Sequence, residues 1–378
     1  MGVSTCRACM SISGEQVLDL GEQPACDYFP SQDDPGPDPR YPLQMWLCSR
    51  CGLAQLVADP AVAEEPKGAE PAALVAQAAD AVDRVGAAGL LPASGKIAEY
   101  GSPHGGSWLG LLTGRGMMKA AVGEPADVVL DCFGLMHAAR QSAAVAERVA
   151  RVASGGVFLV QYHSLATIIV GGQWNALRHG HYAYYSTPVM ASLLAAHGFG
   201  AFTAWVFDLY GGTVLLGARR HGEAAGSDEA LRTLLASEAD AGVRDPAVVR
   251  QLQARARDDA GRVRAWLSAE HAAGRTVLGY GAASRAVALL CLAGVDRALL
   301  PAIADASPAK QGLRMPGTDI PIISPAQLRA GPPDRVLLFL ADLRSEVRAS
   351  LPEVEAAGGT WVAADSLSSA HGVGSGGL

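Results

Sequence analysis

The chain has no run of basic residues. Its 30 Lys and Arg are outnumbered by 37 Asp and Glu, the two signs are interspersed, and the formal net charge is −7. With no basic stripe to follow a phosphate backbone, nucleic acid is not an expected partner. Long hydrophobic runs are missing too. The longest apolar stretches, such as 157–160 and 336–340, have the length of strands and cannot span a bilayer. No charged leader precedes an apolar core at the N-terminus, so no secretory signal is read there. Seven cysteines in 378 residues do not make a disulfide framework. These absences together point to a reducing cytoplasm and no membrane partner. Aromatics are scarce at 6%, whereas 49% of the chain is hydrophobic and 44 residues are Gly. Such a composition suits helices packed closely on strands, in a chain long enough for two to three domains.

What is present begins with two CxxC knuckles, Cys6-Arg7-Ala8-Cys9 and Cys48-Ser49-Arg50-Cys51. Each knuckle places two thiolates on one side of a tight turn, and two knuckles complete a tetrahedral Cys₄ set for zinc. Gly52 follows the second pair, where a knuckle calls for a residue with positive φ. A thioredoxin-type redox pair needs only one such motif, at a strand-to-helix junction, and neither knuckle precedes a helical pattern. A Cys₄ site has no open coordination position, so the zinc is expected to be structural. Cys26, Cys132 and Cys291 sit in apolar or mixed surroundings and read as core residues.

The zinc module is expected over residues 1–60, with a turn-rich loop at 33–39 and an Ala/Glu/Pro-rich linker at 60–71. Residues 72–220 then alternate between helices and strands. Helices are expected at 72–88, 138–152 and 188–197, and strands at 96–100, 128–132, 157–161, 203–207 and 214–217. This alternation predicts a parallel, doubly wound α/β sheet. Residues 226–274 read as a charged helical connector in which Pro246 opens a second helix. A second α/β unit over 275–366 has strands at 276–280, 302–304, 335–339 and 360–363, and a Ser/Gly-rich tail at 367–378 reads as disordered.

Two strands end in glycine-rich turns. In Glu99-Tyr100-Gly101-Ser102-Pro103-His104-Gly105-Gly106 the glycines allow a nucleoside to approach the backbone closely. In Gly279-Tyr280-Gly281-Ala282-Ala283-Ser284-Arg285 a helix N-terminus carries an Arg in its first turn, a place for a phosphate. Either turn is equally compatible with plain strand-to-helix packing.

These features together resemble the nucleotide-sugar C-methyltransferases of deoxysugar biosynthesis, and the resemblance runs from residue 6 to about 363. It is carried by Leu18-Asp19-Leu20-Gly21-Glu22-Gln23-Pro24, by Tyr41-Pro42-Leu43 leading to Cys48, and by Gly279-Tyr280-Gly281-Ala282. Asp305, Lys310-Gln311-Gly312, Pro316-Gly317-Thr318 and Ile320-Pro321 complete it. Arg178-His179-Gly180-His181-Tyr182-Ala183-Tyr184 resembles the family's His-Glu-His-Phe-Ser-Tyr catalytic segment, and Tyr210-Gly211-Gly212-Thr213 its His-Gly-Gly-Ser strand. The resemblance implies a zinc-binding domain, a class I methyltransferase-like Rossmann domain for S-adenosylmethionine (SAM), and a C-terminal Rossmann-like domain. It further implies a nucleotide-linked keto-sugar as substrate, in antibiotic deoxysugar pathways.

C-methylation beside a ketone needs a base for the α-proton and donors for the enolate, and histidine suits the first task. His181 takes the position of the base, with His179, Tyr182 and Arg178 as its catalytic companions. Glu99, Gly101, Gly105 and Glu124 are the expected cofactor contacts. Gly279, Tyr280, Gly281, Arg285 and Lys310 are the expected substrate contacts. The sequence departs from the family pattern at three places. Gly180 replaces the carboxylate between the two histidines, and Pro103-His104 replaces Asn-Asp. The stretch 116–127 is also short by about one helix and one strand. Two alternatives therefore stay open beside the methyltransferase. One is a SAM-independent enzyme using His181, His179 and also His163 or His104 in isomerisation or elimination. The other is a non-catalytic binding homologue. The sequence gives no oligomeric state.

Overall fold

The computed structural model describes residues 4–34, 36–58, 72–102, 105–222, 226–340 and 344–368. The linker at 60–71, Pro103-His104 and the tail beyond 368 lie outside the described residues. At the N-terminus β1 (Gly14–Pro24), β2 (Arg40–Cys48) and β3 (Ala54–Leu56) form an antiparallel meander. The period of two along β2 sorts its side chains between two cores. Leu43, Met45 and Leu47 enter the core shared with the C-terminal unit, while Trp46 and Cys48 enter the core of the central unit.

The central unit runs α1 (Ala72–Ala87), β4 (Gly95–Gly101), α2 (Leu109–Thr113), β5 (Met117–Lys119), β6 (Ala126–Cys132), α3 (Gln141–Ala150), β7 (Val152–His163), α4 (Leu165–Val170), β8 (Ala183–Tyr184), α5 (Thr187–Ala195), β9 (Phe199–Phe207) and β10 (Thr213–Arg220). Its six-stranded sheet has the order β5-β4-β6-β7-β10-β9. The first four strands are parallel, and β10 runs antiparallel to both its neighbours. The sheet is thus mixed, where the helix–strand alternation predicted a parallel one. Strand β8 belongs to the other sheet, extending the zinc-module meander at β3. The shortened stretch has a clear structural counterpart: β5 is the edge strand, and residues 120–125 return directly to β6.

The helical connector holds α6 (Glu229–Asp240), α7 (Pro246–Val249) and α8 (Gln251–Ala272). Pro246 does open a helix, at N1, capped by the Asp245 side chain. The C-terminal unit contains β11 (Val277–Tyr280), α9 (Ser284–Ala293), β12 (Ile303–Ala304), β13 (Ile322–Ile323), α10 (Pro325–Ala330), β14 (Arg335–Leu338), α11 (Arg344–Ser350), α12 (Glu353–Ala356) and β15 (Thr360–Ala363). Its five strands are all parallel, in the order β13-β12-β11-β14-β15. Residues Ser366–Ser368 form one further 3₁₀ turn.

A buried fork ties the zinc module to this unit. Arg314 donates through Nη1 and Nη2 to the two carboxylate oxygens of Asp38, at 2.7 and 2.6 Å, and Gly317 N adds a third bond. Burial pushes the Asp38 carboxyl up, but the Arg314 hydrogen bonds and charge outweigh it, leaving the pKa below 3.8. The native carboxylate therefore contributes stability above its unfolded pKa and loses it as pH falls through the lowered native value. Asp38→Ala should cost about 3 kcal/mol near neutral pH, since Arg314 stays buried without its partner. Melts of the two proteins should converge as pH falls below the lowered native pKa of Asp38, where both lack the charge.

Candidate active site

The four knuckle thiols form one cluster. Cys6 Sγ lies 3.5 Å from Cys51 Sγ, Cys9 Sγ lies 3.6 Å from Cys48 Sγ, and all four atoms fall within 4.8 Å of one another. Thiolates about 2.3 Å from a tetrahedral zinc stand about 3.8 Å apart, so the cluster fits that ion and leaves no position open. Gly52, with φ +81, makes the turn after the second knuckle as its position required.

The segment resembling the catalytic motif leaves the 3₁₀ turn Trp174–Ala176 and ends in β8. His181 is buried, and Arg178 Nε donates to its Nε2 at 2.8 Å. The same Nε lies 3.4 Å from Nδ1, and because a guanidinium only donates, Nε2 is the acceptor in the shorter contact. Tyr184 is buried beside this pair. Its hydroxyl accepts from Arg178 N at 3.0 Å, and its ring centroid is 6.4 Å from that of His181. Arg178 Nη1 also donates to Ser284 Oγ at 2.8 Å, joining the segment to the first residue of α9.

Two of the expected catalytic companions face elsewhere. His179 is buried against β2, edge-on to Tyr41 at 6.1 Å, with Nε2 3.3 Å from Pro42 O. The Tyr182 ring lies under the guanidinium of Arg7 at 4.7 Å, on the side of the zinc module. A histidine not singled out from sequence takes their place. His137 stands edge-on to His181 with 4.7 Å between centroids, and its Nδ1 is 3.0 Å from Gly180 O. As a lone histidine after a strand, it belongs to no motif that would have marked it.

The carboxyl ends of β4, β6 and β7 meet beside this segment, where the strand order reverses between β4 and β6, a usual place for ligands in such sheets. An added Cβ on Gly101 would meet nothing within 4 Å. Glu99 shapes the adjoining loop, accepting from Ser107 Oγ and Trp108 N, both at 2.6 Å. Gly105 bridges back to Ser102 in the same loop. Glu124 does not join them. It pairs with Lys96 and accepts from Ala121 N at 2.9 Å, at the opposite end of β4. Five residues of strand, about 17 Å, separate Lys96 from Gly101, so Glu124 stands apart from the other three expected cofactor contacts. The direct return from β5 to β6 is what leaves it on that side. His163, at the end of β7, is buried; burial, with the Arg285 and Arg178 cations added, pushes its pKa down to about 3 and keeps it neutral.

At the C-terminal glycine turn Gly281 has φ +91. Asp305 accepts from Ala282 N at 2.7 Å, and the buried Lys310 donates to Ala282 O at 3.0 Å with its ammonium 4.6 Å from the Phe29 ring. Lys310 therefore holds the turn in shape from within. Tyr280 points into the core of its own unit, 6.3 Å from Trp361, and Gly279 is packed against Ile303 and Phe339. Both therefore have packing neighbours within the unit. Arg285 reaches the central unit, 5.6 Å from the ring of Tyr210.

Residues 208–364 match the family described as the C-methyltransferase C-terminal domain, and residues 6–62 match a family of zinc-binding domains. The chain is 25% identical to the C-methyltransferase NovU of Streptomyces niveus, with 95% of each protein covered. Among solved structures, the magnesium protoporphyrin IX methyltransferase of Synechocystis is 13% identical, covering 39% of this chain and 84% of its own, at a TM-score of 0.29. The 1,6-didemethyltoxoflavin-N1-methyltransferase of Burkholderia thailandensis is 15% identical, covering 44% and 95%, at 0.26. Likeness at that level says nothing about the reaction. No helix among the described residues is long and apolar enough to cross a membrane.

Proposed function

We propose that this chain, which resembles the C-methyltransferases over residues 6–62 and 208–364, methylates the carbon beside the ketone of a nucleotide-linked keto-deoxysugar or a related natural-product intermediate. One observation carries the proposal: a buried His181 presents its lone-pair nitrogen beside Arg178, at the junction with the N-terminus of α9. As substrate enters, Arg178 Nε turns from His181 Nε2 to the ketone oxygen, which frees the Nε2 lone pair to take the α-proton. The imidazolium and the enolate form in that one step, the enolate oxygen held by the Arg178 N–H groups. Tyr184 steadies Arg178 through its backbone, and His137 fixes the plane of the base. Ser284 and Arg285, in the first turn of α9, receive the diphosphate of the nucleotide.

SAM, when bound, supplies the electrophilic methyl group. The loop side of its site fits: space lies open beside Gly101, and Trp108 Nε1 is a buried donor with no partner among the described residues. On the ribose side, Glu124, the acid the sequence offered, is engaged with Lys96 at the far end of β4. Glu124→Gln should therefore leave the affinity for S-adenosylhomocysteine within about twofold of wild type in calorimetry, as for a surface change remote from a site.

The short return at 120–125 favours a second reading, cofactor-free enolisation leading to isomerisation or elimination. The test uses a panel of thymidine-, uridine- and guanosine-diphosphate 4-keto-6-deoxyhexoses in D₂O, with and without [methyl-¹³C]SAM. A ¹³C methyl group bonded to sugar carbon upholds methyl transfer. Deuterium uptake without methylation hands the chain to the second reading, and neither signal removes both.

A further inference from the structure

We propose that Arg7, inside the first zinc knuckle, is a positioning residue that sets the His181 and His137 turns against each other. This inference rests on the assignment of His181 as the base. The knuckle is first locked to β3: Arg7 N donates to Gln55 Oε1 at 2.8 Å, and Gln55 Nε2 returns a bond to Thr5 O at 3.0 Å. The guanidinium then reaches in two directions. Nε and Nη2 donate to Leu56 O at 3.4 and 3.3 Å, and Nη1 donates to Ala139 O at 3.2 Å. The carbonyl of Arg7 accepts from Gln141 N at 3.2 Å, at the start of α3.

Both carbonyls held by the fork belong to chain segments next to a catalytic turn. Leu56 N donates to Tyr182 O at 3.2 Å, and Tyr182 N donates to Met136 O at 2.8 Å. His181 precedes Tyr182, and His137 follows Met136. The Tyr182 ring closes the arrangement from below, 4.7 Å from the guanidinium carbon. One side chain thus touches β3, the residues just beyond His137 and the residue after His181. Only Arg has a planar fork that can serve two carbonyls while lying on an aromatic face; Lys offers a point charge on a flexible stem. Losing it removes donors from two carbonyls and lets the turns drift, and a displacement of about 1 Å at a catalytic group can cost about 100-fold in rate.

The experiment compares wild type, Arg7→Ala and Arg7→Lys in full-length protein labelled with [¹³Cε1]histidine. The His181 signal is assigned by its disappearance in His181→Gln. Zinc content and melting temperature are measured on the same samples, with the rate of α-proton exchange as the kinetic readout. The expected Arg7→Ala protein keeps one zinc, since the four thiolates are intact. Its His181 signal moves or broadens, and kcat falls about 100-fold with KM changed less than about threefold. Arg7→Lys shows the same displacement, smaller in size. A His181 signal at its wild-type position in both variants, with unchanged kcat, overturns the proposal. Should Arg7→Ala shed zinc, Arg7→Lys decides alone, upheld by a displaced signal and overturned by an unmoved one. If His181→Gln exchanges protons at the wild-type rate, the assignment of the base is lost, and the position of the His181 signal still judges Arg7.

Discussion

His181→Gln is expected to slow α-proton exchange by roughly 10²–10⁴-fold, the usual weight of a positioned general base. Glutamine keeps polarity and nearly the volume of the ring, and it can still accept from Arg178, so the fold should hold. The effect should appear in kcat, because the diphosphate contacts proposed at Ser284 and Arg285 lie on another element. A His137→Gln protein should fall less, since that ring touches His181 edge-on and is argued to act through it. The check is the deuterium uptake of a keto-sugar followed by NMR, with melting temperatures confirming that both variants fold. A His181→Gln enzyme as fast as wild type would take the base away from this residue.

Removal of the zinc is expected to have the largest effect on stability. Structural zinc sites bind with about 10–16 kcal/mol of apparent free energy in small peptides, and a typical domain has only about 5–15 kcal/mol in total. Cys6 and Cys48 are fully buried, within the core of the central unit. Without the ion their thiolates would have to protonate or separate. Cys48→Ser, or dialysis against a strong chelator, should therefore unfold the meander β1–β3. The loss should reach the catalytic segment, because Gln55 and Ala54 pair with Ala183 and Tyr184. The expected readout is a drop in melting temperature accompanied by loss of the folded His181 signal, both restored by zinc for the chelated wild type. A zinc-free protein with an unchanged His181 signal would uncouple the two sites.

Much of this architecture could be read from the residues. The paired CxxC spacing located the thiol cluster, because four thiolates and a tetrahedral ion leave few other arrangements. Strands β6 and β7 were legible from apolar runs buried on both faces, as central strands require, and β4 from the turn residues on either side of it. The short return before β6 could be seen as missing length. What could not be read was where its one acid would point: Glu124 was expected beside a ligand and instead pairs with Lys96 at the other end of the strand. Short elements were lost for lack of periodicity. Strands β5, β8 and β13 have two or three residues each, too few to show alternation. The antiparallel placing of β10 depends on tertiary pairing that no local pattern encodes. His137 became visible only when folding brought it to Gly180, and the inward turn of Tyr280 only when Trp361 came to lie beside it.

The N-terminal meander borrows its fourth strand from residues 183–184. During synthesis β3 must wait with an open edge until more than a hundred further residues have left the ribosome. That edge is where a partly made chain is most exposed to pairing with a neighbour, a hazard common to unpaired strands. Inheritance is constrained in the same way: recombination that exchanged the first 58 residues between relatives would carry one half of this strand pair and leave the other behind. Zinc module and catalytic turn are thus bound to evolve together, although the gene places them far apart.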